Sequence, residues 1–245
     1  MLPKIDVPIY DVFLPLLKKK VRFRPFLVKE EKILLMAMES DEDSAIISAI
    51  KQIVENCCLD DLNIDSLPVS DLEFFFLNLR ARSINEVVEL SYKCNNKIAG
   101  QSNEPVECGN VVNIEVNVLS IQPEIPEDHT NKIELSEKMG LMMRYPSFRI
   151  LEQNSKVTGS EIDKLMDILL SCIDSVYTEE EIFYTKDVSK EELVNFVENL
   201  TREQFSKIQN FFDTMPKIKK EVDFSCTKCG HKEKIGIEGL QNFFV

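Results

Sequence analysis

Apolar and polar positions alternate through residues 8–14 and again through 21–26, on either side of a lysine-rich stretch, which is the pattern of two strands joined by a turn. In the second run Val21 and Phe23 face one way and Arg22 and Arg24 the other, predicting an N-terminal hairpin with one apolar and one basic face. The period then changes. Residues 29–38 are mostly strong helix formers, and 44–54 place Ile46, Ile47, Ile50, Ile53 and Val54 on one side of a helix, so this pair is expected to pack on itself or on the hairpin. An acidic loop at 60–68 lacks the glycine and the bidentate glutamate of a calcium loop. Ser70 then stands where it can cap a third helix running to Leu79, with Asp71 and Glu73 at its positive end and Phe74, Phe75, Phe76 and Leu77 supplying core.

Two strand-like runs follow, 87–94 and 108–116, separated by a polar excursion over 95–107 that reads as exposed. Residues 122–129 read as a linker containing Pro123 and Pro126, and His129 within it has no nearby Cys or His partner. A short strand at 133–135 and a helix-like stretch at 137–145, stopping before Pro146, come next. From Ser160, which stands at a cap position, the chain reads as helical, with Ile162, Leu165, Met166, Leu169, Leu170 and Ile173 on one stripe. Ser189 with Glu192, and Thr201 with Gln204, form two capping boxes, and the last helix stops before Pro216. Residues 220–235 then alternate up to a C-x-x-C-G turn and away again.

The expected fold class is α+β, mostly helical, with an N-terminal β-hairpin and a zinc-ribbon-like pair of β-hairpins formed from the middle and the C-terminus. The expected organisation is an N-terminal hairpin with helices (1–86), a split β module (87–118 with 217–245), and a linker and helical region (119–216).

Charge narrows the partners. Among 245 residues, 42 are acidic and 29 basic, a formal net charge of -13 whose field repels phosphate backbones, so nucleic acid is not expected as a partner. The basic exception, Lys18, Lys19, Lys20, Arg22 and Arg24, reads as a solvated hairpin tip. No apolar run approaches the ~20 residues of a membrane span, and Asp6 and Asp11 interrupt any signal-peptide pattern, so the expectation is a protein made and used inside a cell.

The cysteines carry the chemistry. There are seven, an odd number in a chain too long for a small disulfide scaffold. Cys57, Cys58 and Cys172 sit in apolar helical patterns and read as small core residues. Cys94 and Cys108 belong to the middle strand pair, Cys226 and Cys229 to the terminal hairpin. Each pair has a strand before its first cysteine and a glycine, Gly109 or Gly230, just after its second, where a tight turn needs positive φ. Four thiolates would make a closed Cys₄ zinc site with no open coordination position, hence a structural one. His231 is an alternative ligand, the length of the excursion after Cys94 leaves a metal-free reading open, and a thioredoxin-like redox site is disfavoured because strand, not helix, follows Cys229. No G-x-S-x-G, phosphate-binding glycine loop or histidine pair points to an enzyme.

Residues 24–36, opening Arg24-Pro25-Phe26, with their continuation to Ser40, resemble the baseplate hub subunit and hub-assembly proteins of T-even-type (T4-like) contractile-tailed bacteriophages. Residues 215–219, the Cys226–His231 turn and residues 238–244 extend the resemblance to the other end of the chain. The resemblance implies a non-enzymatic viral protein of baseplate hub assembly, either a virion component or a chaperone that leaves. It implies phage hub proteins and the tape-measure protein as partners, and the host cytoplasm or the tail baseplate as location. A zinc-ribbon adaptor for nucleic acid or the transcription machinery is the alternative, against which the charge stands.

Overall fold

In the computed structural model, which describes residues 6–40, 42–99, 104–156 and 160–239, the chain opens with the antiparallel hairpin β1 (Tyr10–Leu14) and β2 (Lys19–Phe23). Val12, Leu14, Val21 and Phe23 point into the core as the alternation predicts. The basic face is answered by acids. Lys20 Nζ lies 2.9 Å from Asp11, Arg22 2.7 Å from Asp60, and Lys19 Nζ donates to the Asp61 carbonyl at 2.7 Å.

Helices α1 (Val28–Glu39), α2 (Asp43–Cys57) and α3 (Val69–Ser83) follow. Pro68, not Ser70, occupies the cap position of α3, and the Val69 N–H donates to the Pro146 carbonyl at 3.0 Å, so a neighbouring chain segment satisfies a free helix-start donor. Asp71 does more than complement the helix dipole. Fully buried, its carboxylate accepts the N–H groups of Leu16 and Leu17 at 3.1 and 2.7 Å and ties the hairpin turn to α3. Arg24 leaves the basic face altogether, its guanidinium 3.0 Å from the buried carboxylate of Glu30.

The middle of the chain is β3 (Val87–Lys93), β4 (Lys97–Ala99), β5 (Pro105–Glu107), β6 (Val111–Asn117), β7 (Pro123–Glu124), β8 (Lys132–Ser136) and β9 (Met139–Met143). After these come α4 (Phe148–Lys156), α5 (Glu161–Cys172), β10 (Ile173–Thr178), β11 (Ile182–Tyr184), α6 (Lys190–Glu198), α7 (Arg202–Thr214), β12 (Lys217–Ser225) and β13 (Lys232–Glu238). Among the described residues all strand pairs are antiparallel, in five sheets: β1-β2, β11-β10-β9-β8, β13-β12-β7, β3-β6 and β4-β5.

The chain is therefore not mostly helical: the structure is mixed, with 41% of the described residues in helix and 31% in strand. The stretch expected to be a helix at 137–145 is strand β9, and the chain after Ser160 leaves the helix at Cys172 for β10 and β11. Met, Leu and Glu favour helix locally, but β9 lies between β8 and β10 and satisfies its backbone on both sides, which outweighs propensity. The expected linker at 122–129 holds strand β7, which pairs with β12, and helix α4 forms further on, between Pro146 and Ser160, where the local pattern signals no element. The Ser160 cap and both capping boxes form as their sequences predict.

Gly140 in β9 shows how closely this sheet is built. A Cβ there would stand 2.4 Å from the Ile133 carbonyl oxygen and 2.1 Å from Tyr177 Oη. Gly140→Ala is expected to cost about 1–3 kcal/mol by overpacking, whereas Gly236→Ala, whose Cβ would meet only Lys219 Cε at 3.7 Å, stays near neutral. Paired thermal melts check this, and equal melting temperatures would contradict it.

Two large cores result. The first gathers Phe23, Phe75, Phe76 and Phe148 with Val88, Val116, Ile218 and Ile237, which are the ends of the β3-β6 and β12-β13 hairpins remote from their cysteines. The second lies between the four-stranded sheet and α5, α6 and α7, around Leu141, Ile173, Leu193, Ile208 and Phe211. Each cysteine hairpin is thus rooted in the first core and holds its cysteines at the far end.

Candidate metal centre

Both cysteine hairpins use the same local plan. In β3-β6 the register runs from Val87↔Asn117 to Lys93↔Val111, and in β12-β13 from Lys219↔Glu238 to Ser225↔Lys232. Alternation turns Leu90, Tyr92, Val112 and Ile114 of one hairpin and Val222, Phe224 and Ile235 of the other away from solvent, with Tyr92 and Phe224 meeting edge to face, ring centroids 4.9 Å apart. Beyond the last pair the chain turns tightly. The Cys94 N–H donates to Asn110 O and the Cys108 N–H to Asn96 O, both at 2.8 Å; in the second hairpin Cys226 N–H donates to His231 O at 2.8 Å and Gly230 N–H to Cys226 O at 2.9 Å.

Gly109 and Gly230 take φ of 62° and 73°, the left-handed conformation that glycine adopts without strain. Nothing lies within 4 Å of a Cβ built on Gly230, so conformation rather than space is what glycine supplies there. The long excursion after Cys94 folds back as the small hairpin β4-β5, in register from Lys97↔Glu107 to Ala99↔Pro105, and so returns Cys108 to the side of Cys94. Residues 100–103 and the Phe243-Phe244 tail lie outside the described residues.

The sulfurs of Cys94, Cys108, Cys226 and Cys229 all lie within 4.8 Å of one another. Cys94 and Cys229, and Cys108 and Cys226, are each 3.7 Å apart. A zinc–thiolate bond of about 2.3 Å gives a tetrahedron with edges of about 3.8 Å, so these two separations suit a metal, and they are far too long for a disulfide of about 2.05 Å. The His231 ring is not in the cluster and lies 3.7 Å from the Glu233 carboxylate.

The four thiols differ electrostatically. Cys226 is drawn down to about 6, chiefly by the Cys229 backbone N–H with help from that of Lys228, and Cys229 is drawn down by the His231 N–H. Burial pushes Cys94 up to about 12. The Asn110 N–H draws Cys108 down, but burial and the neighbouring thiols leave it raised. Four sulfurs this close cannot all ionise beside one another unless a cation sits among them, and a cation they enclose keeps no coordination position for a substrate.

Sequence reasoning missed two side chains here. Asn96 Nδ2 lies 3.6 Å from Cys229 Sγ, and Asn110 Nδ2 3.6 Å from Cys226 Sγ. The signal that could have found them is a Cys-x-Asn triplet at both Cys94 and Cys108. The remaining cysteines stay apart: burial pushes Cys57 up to about 11 and Cys172 up to about 12, and Cys58 Sγ donates to the Asp60 carbonyl. His129, packed against both Tyr145 and Phe211, is 2.9 Å from Thr214 Oγ1 through Nδ1.

Among known proteins, a family model described as T4 bacteriophage base plate protein matches residues 7–245. No curated protein and no solved structure matches.

Proposed function

The chain belongs to the T4 bacteriophage base plate protein family, and from that premise we propose that it works without catalysis in building the central hub of a tail baseplate, its two cysteine hairpins closed by one structural zinc ion. The observation that carries the assembly reading is the family match, which runs through both cores and both cysteine hairpins. Val28, Ile162 and Leu165 are apolar side chains left largely exposed, at 80%, 75% and 66%. Partners are phage hub proteins and the tape-measure protein, met in the host cytoplasm during assembly and, for a retained subunit, in the tail baseplate. No described helix is long and apolar enough to cross a membrane.

The zinc reading is supported by four sulfurs at metal-compatible separations on two hairpins that share no strand. In this reading residues 87–118 and 217–245 act as one split module between the 1–86 and 119–216 regions. The ion joins the middle of the chain to its end. The nucleic-acid alternative gains nothing, since Lys19, Lys20, Arg22 and Arg24 are engaged by acidic side chains or carbonyls and the net charge is -13.

Mass spectrometry of finished virions, set beside a null mutant of the phage, tests the assembly reading. Presence at a defined copy number is the expected result for a subunit. Absence from virions, with tails that fail to form in the null, is the result for a chaperone that covers hub or tape-measure surface and is then displaced. Normal tails in the null overturn both.

A further inference from the structure

Each of the four cysteines has a residue two places further on that closes its turn: Asn96, Asn110, Lys228 and His231. Their backbone N–H groups draw down the thiol of their own cysteine, against burial. Three of the four side chains do something else and reach the other hairpin. Asn96 Nδ2 donates to Cys229 Sγ and Asn110 Nδ2 to Cys226 Sγ, each at 3.6 Å, while Lys228 Nζ donates to the Cys108 carbonyl at 3.3 Å. The two amides are disposed alike, one beside the Cys94/Cys229 pair and one beside the Cys108/Cys226 pair.

We propose that Asn96 and Asn110 are positioning residues of the metal centre, each holding a thiolate of the opposite hairpin through its side-chain amide. This rests on the zinc reading and goes beyond it by assigning groups that do not touch the metal. Four thiolates around a divalent cation carry two excess negative charges, in a chain already at -13. Cys94, Cys108 and Cys226 are buried, and in such surroundings a donor to sulfur counts for more than in water. The backbone donors act within one hairpin and exist before the halves meet. The amides act only across the interface, so they couple the register of the two half-sites to the charge on the sulfurs.

Zinc affinity of the full chain, measured by competition with a chromophoric chelator, tests this in N96A, N110A, the double variant and T227V. Asn110 Nδ2 also lies 3.2 Å from Thr227 Oγ1, and T227V removes that contact while sparing the amide–sulfur one. Each single asparagine variant is expected to bind zinc about tenfold more weakly and the double about a hundredfold, still at one ion per chain, the range for partners behind the ligands. With Co²⁺ in place of zinc, the sulfur-to-metal charge-transfer band moves to lower energy in N96A and N110A and stays put in T227V, a change that loosened packing alone does not produce. Unchanged affinity and an unmoved band in variants whose circular dichroism matches wild type overturn the proposal while the zinc reading stands. T227V matching N110A in both readouts also overturns it, because the role then lies in the hairpin contact. A wild-type chain that takes up no zinc overturns the metal reading and this one with it.

Discussion

Purified without added metal, the protein is expected to carry one zinc ion per chain, and a strong chelator is expected to lower its melting temperature on the order of 10 °C. The size follows from where a bound ion would sit. Each cysteine hairpin is rooted in the first core through Val88 and Val116 or through Ile218 and Ile237, but beyond Tyr92 and Phe224 the apolar packing between the two tips is, among the described residues, a small cluster containing the cysteines themselves. Without a cation the crowded thiols lose their common partner, and the long connection through β4 and β5 loses the tie that holds its return. Cys226→Ser is expected to reproduce most of the loss and to abolish zinc retention, whereas Cys58→Ser, at a half-buried thiol bonded to the Asp60 carbonyl, should change little. Elemental analysis and melting with and without chelator decide it: no zinc together with an unchanged melt removes the metal from the account. Acid should release the ion, since protons compete for the thiolates.

The second large effect belongs to Arg24 and Glu30. The Glu30 carboxylate is 0% exposed and accepts from Arg24 Nη2 at 3.0 Å and from the Leu27 N–H at 2.9 Å. Arg24 also donates to the carbonyls of Pro25 and Asn56 at 2.9 and 3.0 Å, and its backbone N–H meets Cys57 O at 3.0 Å. One ion pair therefore joins the exit of the hairpin, the start of α1 and the free carbonyls at the end of α2. Glu30→Ala leaves the guanidinium without its countercharge and is expected to cost about 3–5 kcal/mol. Replacing both partners by apolar residues, Arg24→Met with Glu30→Leu, should recover much of that, and a double-mutant cycle by chemical denaturation measures the coupling. A cost for Glu30→Ala below about 1 kcal/mol would place the pair among ordinary surface bridges.

The same pair carries a pH signature. Burial pushes the Glu30 carboxyl up, but Arg24 and the Leu27 N–H overcome this and hold it below its ordinary 4.5. Because the folded value lies under the unfolded one, the stabilisation is complete above about pH 4.5 and drains away as pH falls through the lower folded value. Acid unfolding of Glu30→Gln should accordingly be less steep than that of wild type in that window.

Features that depend on a few neighbouring residues are legible in the sequence. The hairpin of β1 and β2, the helices α1 and α2, the capping boxes at Ser189 and Thr201 and the turn glycines Gly109 and Gly230 each follow from a local rule of period, hydrogen-bond reach or allowed φ. Other features depend on partners that the local pattern does not name. Residues 139–143 satisfy the composition of a helix and become a strand because β8 and β10 lie on either side. Arg24 alternates like a surface residue and is drawn in by Glu30, and Asp71 reads as a dipole partner and is used by the Leu16 and Leu17 amides.

The cysteine cluster divides along the same line. Sequence alone determined that two hairpins would each present two thiols at a glycine-bearing turn, because strand alternation and positive φ are properties of adjacent residues. The likeness of the two cysteine regions leads to the expectation that their tips meet, but only the tertiary structure decided that four sulfurs lie within 4.8 Å while the His231 ring does not join them, and that two asparagine amides cross between the halves. Contacts between segments more than a hundred residues apart are set by how both hairpins root in one shared core, and shared packing leaves no periodic trace along the chain.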